Sequence, residues 1–201
     1  MVTKMIDKQP DRITAKFIPP PNDQKEDTEW NWGGFTIKGG SQCQGNCSQD
    51  LVHAIGLEFG VKEFVGWSTY DYYTHFFGYL SKSYNPERTD LMRYVNHAWF
   101  MTELFKSYKI PVEAVARDLP NKPYIIRKAI EVTERPVSIG MRFTQSGHWI
   151  RVHAYENGQY ECNDPYGKHP YKGYQKGGFV KYSEDYLQKN TITRIITLED
   201  K

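Results

Sequence analysis

The chain reads as an α+β protein, with helices first and an antiparallel sheet second. Two patterns carry this. Apolar residues recur at helical spacing through the first two thirds, and strand-like alternation broken by turn signals fills the last third. The clearest single signal is Asn157-Gly158 between two alternating runs, the signature of a tight hairpin.

Taken in order, residues 1–34 read as an extended arm and residues 35–201 as one domain. Pro10, the run Pro19-Pro20-Pro21 and the polar stretch from Asn22 to Asp27 give the arm little to bury. Trp30-Asn31-Trp32 closes it, with packing on the body favoured over ligand recognition. The stripe Leu51, Val52, Ile55 and Phe59 predicts a helix opened by the Gly45-Asn46 turn, so that Cys47 stands at its start. Further helices are expected over 67–84, broken at Asn85-Pro86, and over 89–108 and 122–134. Strands follow over 135–143, 148–155 and 160–164. A Gly/Tyr/Lys-rich loop over 166–178 then leads to a strand near 179–182, a short helix over 184–188 and a last strand over 191–198.

At 201 residues the chain is long enough to bury a core without staples. A formal charge of +2 gives no argument for a nucleic-acid partner. Three cysteines make no disulfide framework and leave at least one thiol unpaired; whether Cys43 bridges Cys47 is open. The start has no apolar secretory segment and no run reaches membrane length, so a cytoplasmic chain is expected on synthesis, reaching any outside substrate by lysis or separate delivery.

The chemistry concentrates in two distant segments. A thiol at a helix start is favoured as thiolate by the helix amides and by a nearby imidazolium, and Cys47 is read as that group. His148 opens a strand on the face of Ile150, Val152 and Ala154, where an imidazole can meet the sulfur. Asp164 supplies a carboxylate to orient the ring. In a strict two-residue hairpin Asn163 would share the His148 face instead, and a bulge or a longer loop restores Asp164, so both stay open. In that strict register His153 faces Cys162.

At these residues the chain resembles the bacteriocin leader-processing peptidase-like group of the papain-like cysteine peptidase superfamily. The matching features are a cysteine thirteen residues before a helix-closing glycine (Cys47 to Gly60), a Gly147-His148 strand start and Asp164-Pro165-Tyr166-Gly167 sixteen residues after His148. The resemblance implies a papain-like fold, Cys47 as nucleophile, His148 as general base and acid, and Asp164 as the orienting group. It implies a glutamine amide at the oxyanion, Gln42 first and Gln44 as the alternative. The Gly-Pro common after the family's cysteine is replaced by Ser48-Gln49.

The implied activity is hydrolysis of a peptide bond through an acyl-enzyme, with no cofactor. A peptidoglycan endopeptidase, of the phage endolysin or bacterial cell-wall type, is the first expectation. Intracellular protein processing and a non-catalytic binding or inhibitory protein are the alternatives. Trp149 and Tyr166 are expected to touch the peptide or peptidoglycan substrate. Cys43, Cys47 and His53 are conceivable zinc ligands, but one short stretch of chain would have to supply them all, so no metal is expected. His75 and His97 read as structural.

Overall fold

The computed structural model describes residues 12–23, 29–32, 35–37, 43–82, 84–171 and 176–201. The helices are α1 (Cys43–Phe59), α2 (Lys62–Gly66), α3 (Thr69–Leu80), α4 (Arg88–Leu91), α5 (Tyr94–Ser107), α6 (Tyr124–Thr133) and α7 (Glu184–Lys189). The strands are β1 (Arg12–Thr14), β2 (Trp30–Trp32), β3 (Phe35–Ile37), β4 (Val112–Asp118), β5 (Val137–Met141), β6 (His148–Glu156), β7 (Gln159–Asp164), β8 (Gly178–Ser183) and β9 (Ile192–Asp200). An antiparallel sheet runs β4-β9-β5-β6-β7-β8, with β1 added to β6 where β5 has ended. The α+β layout expected from the sequence is the one observed.

The sheet is covered on both faces. Toward α1, α3 and α5 lie Leu51, Val52, Tyr72, Phe76, Met101 and Trp149. Toward α6 lie Ile126, Ile130, Ile139, Ile150, Val152 and Cys162. β6 therefore alternates between two buried faces, apolar at Ile150, Val152 and Ala154 on one and carrying Trp149 with the buried polar Arg151 and His153 on the other, as a central strand covered on both sides.

Two expectations about local structure are corrected. Helix α1 begins at Cys43, not at Cys47, so Gly45-Asn46 is helical and not a turn. Gly45 is instead a packing glycine, since the Tyr73 ring occupies the space a side chain would need. Strand β4 fills a stretch left unassigned between two helices. The sequence did carry a sign of it, Val112-Glu113-Ala114-Val115 alternating after Pro111, and Val112 and Ala114 are buried against the helices.

Asn157-Gly158 closes a strict two-residue hairpin, Glu156 opposing Gln159, with both turn residues at positive φ (50° and 78°). A bulge then intervenes at His153. Val152 faces Cys162, Arg151 faces Asn163, and His153 does not oppose Cys162 as the strict register would have it.

Trp30 is buried beside Tyr73 and Phe77 of α3 and its indole N–H donates to Thr74 Oγ1 at 3.0 Å, so this half of the Trp pair packs on the body. Upstream, residues 12–23 run along the sheet. The Pro19 carbonyl accepts from both terminal nitrogens of Arg151 (3.1 and 3.0 Å), and Asn22 bonds Asp50 at 2.8 Å and Asn163 at 2.7 Å.

Candidate active site

His148 is the first residue of β6, after a turn in which Gly147 takes φ +83° and Thr144 Oγ1 donates to the Gly147 carbonyl at 2.6 Å. Its Nε2 lies 2.8 Å from Asp164 Oδ1 at the end of β7. The bulge at His153 produces this meeting, because it shifts β7 by one residue and turns Asp164 instead of Asn163 to the His148 face.

The thiol that meets the ring is that of Cys43. It shares a hydrogen bond with His148 and also receives the backbone N–H of Trp149. Burial disfavours its thiolate, but His148 and the Trp149 amide outweigh that, and the thiol is held below its ordinary range. Burial would likewise discharge His148, yet the Cys43 sulfur and the Asp164 carboxylate raise the ring above the usual imidazole range. Each charged form favours the other, a thiolate at Cys43 and an imidazolium at His148, at the N-terminus of α1, whose first amides have no intrahelical acceptor.

The placement of Cys47 beside the imidazole is therefore corrected. Cys47 lies one turn further along α1 and is fully buried. Its backbone carbonyl accepts from Ser138 Oγ at 3.1 Å in the middle of β5. Burial, followed by the nearby Asp50, pushes its thiol well up, so it stays neutral. His148 shares the sheet face that packs on α6, while α1 lies on the other face. Only a group at the sheet's end can reach around to the ring, and the first residue of α1 is there.

Asn163 points to the α1 face, where its amide bonds Asn22 and Asp50. Gln42 lies outside the described residues. Gln44 is buried next to Cys43 and lines the same groove. Trp149 also lines it, packed over Gly140, where an added Cβ would come within 3.0 Å of the indole. Tyr166 does not line the groove; its backbone N–H donates to Asp164 Oδ1 at 3.0 Å.

All three cysteines are free thiols, and among the described residues no group of three or more potential ligands is gathered for a metal. His75 stacks on Trp67, and His97 is bonded between Tyr72 and the Leu91 carbonyl. No helix among the described residues is long and apolar enough to cross a membrane.

The groove beside Cys43 has a volume of about 740 Å³ and includes Arg142 and Arg194 with Gln44, His148 and Trp149. It is partly open to solvent, and the half-buried Cys43 is one of the residues that line it. A groove of this kind admits an extended chain to the sulfur. From the sequence Cys43 is read only as a conceivable zinc ligand or disulfide partner, and the places of Tyr171 and Tyr182 against Asp164 are not foreseen. The i, i+4 spacing of Cys43 and Cys47 was the available sign that the helix begins earlier.

No protein-family model matches the chain, and no curated protein does. Among solved structures it is similar to a double glycine motif protease from an AMS/PCAT transporter, crystallised in complex with the leader peptide, at a TM-score of 0.47 and 9% identity over 94% of this chain and 99% of that one. It is also similar to the Pseudomonas avirulence protein AvrPphB, at a TM-score of 0.35 and 10% identity over 78% of this chain and 89% of that one.

Proposed function

We propose that the protein is a papain-like cysteine peptidase in which Cys43 is the nucleophile, His148 the general base and acid, and Asp164 the group that orients the imidazole. The observation that carries this is the convergence of three groups at one groove: Cys43 at the start of α1 is coupled to His148, and His148 Nε2 lies 2.8 Å from Asp164 Oδ1. Nucleophilic acyl transfer needs these three groups in this order.

The steps follow from the geometry. The Cys43 thiolate attacks the carbonyl of a peptide bond lying in the groove, and the first amides of α1 meet the negative charge that forms on oxygen, with the Gln44 side chain adjacent. His148 then gives its proton to the leaving amine. Water attacks the acyl-cysteine with His148 as base, releasing the acid and restoring the thiol.

Peptide cross-bridges of the bacterial cell wall are the substrates to try first, ahead of intracellular proteins. Incubation with purified cell walls and, separately, with a mixed peptide library tests this, with mass spectrometry locating each new terminus. Cleaved peptide bonds that vanish with Cys43→Ala support the reading. Absence of cleavage in both, together with a Cys43 that alkylates no faster than Cys162, would favour a binding protein on this scaffold.

A further inference from the structure

The Asp164 carboxylate is completely buried and receives four hydrogen bonds. Oδ1 accepts from His148 Nε2 and from the Tyr166 backbone N–H. Oδ2 accepts from two phenols, Tyr171 at 2.9 Å and Tyr182 at 2.8 Å. Neither phenol comes from the element that carries Asp164; Tyr182 is in β8 and Tyr171 in the loop that precedes it. Both phenols are themselves held neutral by burial and by the carboxylate. They are obligate donors.

From this geometry we infer that Tyr171 and Tyr182 are positioning residues, which fix the Asp164 carboxylate with its Oδ1 turned to His148. This rests on the reading of Cys43 as nucleophile. A carboxylate held by several donors keeps one orientation, and each donor removed loosens the His148–Asp164 hydrogen bond that favours the imidazolium. Tyr171 contributes a second effect, since its ring stands edge-on to His148 at 5.4 Å and shields the His148–Asp164 bond from water.

The titratable groups around Asp164 are few enough to follow. From α1 come Cys43 and Cys47, from β6 His148, from β7 Cys162, from the loop His169 and Tyr171, and from β8 Tyr182. Cys47 and Cys162 stay neutral, both raised by burial. His169 is lowered, by burial first, and bonds Tyr186 through Nδ1 at 2.8 Å.

The test is the pH profile of Cys43 alkylation by iodoacetamide in Tyr171→Phe and Tyr182→Phe, with Tyr186→Phe as control because its hydroxyl bonds His169 and not Asp164. Each of the first two keeps the ring and removes one donor. The acid limb of the profile is expected to move to higher pH by about one unit in either, the worth of one hydrogen bond to a charged group. It should stay in place in Tyr186→Phe. Profiles that coincide with the parent chain, or a lowered rate with an unmoved limb, would overturn the inference and leave the phenols as packing. If Cys43 in the parent chain reacts no faster than Cys162, the proposed function fails first.

Discussion

Cys43 and Cys47 lie one turn apart on the same side of α1, yet only Cys43 is bonded to the ring of His148. The separation is about 6 Å along the axis, enough to move a sulfur from the sheet's end to its buried middle. Reactivity in this protein is thus set by position along one helix, since the chemical group is the same.

The two thiols should part sharply on substitution. Cys43→Ala is expected to abolish hydrolysis and the fast phase of alkylation with little change in stability. Cys47→Ala should keep both and lose about 1 kcal/mol from the small void left in the core. Mass spectrometry of alkylated peptides and a denaturant melt of each variant check this. Full activity in Cys43→Ala would remove it from the mechanism.

The acid limb of Cys43 alkylation should lie below that of an ordinary thiol. The sign follows from the pair: the Cys43 thiol is lowered and the His148 ring raised, each favouring the charged form of the other. With His148→Ala the rate at neutral pH should drop at least tenfold, and the profile should move toward that of a free thiol. A stopped time course at several pH values reads this directly.

Asp50, Arg151 and Asn163 form a buried polar layer under α1, tied to the arm through Asn22 and Pro19. Arg151 is fully buried, with Asp50 Oδ2 3.2 Å from its Nε. Asp50→Asn removes the carboxylate that faces this guanidinium at 3.2 Å, and should cost about 3–5 kcal/mol, because a buried charge loses its partner. Urea unfolding midpoints measure the loss.

Stability should fall as the solution is acidified from about pH 6.5 to 4. Burial lowers His97 to about 4, and His153 also to about 4 with Arg151 adding to the effect. Over that window the unfolded chain binds protons that the folded chain refuses, so unfolding gains as pH falls. Each histidine accounts for up to about 3 kcal/mol when the window has been crossed. Asp50, raised to about 6 by burial, offsets part of this, and in His97→Gln the fall of unfolding free energy across the window should be smaller than in the parent.

Gly45→Ala offers a test of packing against propensity. Alanine favours a helix interior by about 1 kcal/mol over glycine, but here its methyl meets the Tyr73 ring. Net destabilisation is expected, read as a lowered melting temperature. A rise would show that Tyr73 yields without strain.

Much of this protein was legible in the residues themselves. Helical stripes over 67–84, 89–108 and 122–134 correspond to α3, to α4 with α5, and to α6. Asn157-Gly158 fixed the hairpin, because local φ preferences and one-sided apolar spacing are properties of short segments. The choice between Asp164 and Asn163 was not local: it turned on one bulged residue, His153, which no pattern in β6 announces. Nor could spacing alone select Cys43, since helical periodicity places Cys43 and Cys47 on a common side and says nothing about which end of the helix overhangs the sheet. Tertiary structure decided both, because a hydrogen bond across a hundred residues depends on where a helix lies over a sheet, and that is set by the whole core and by no single stretch of chain.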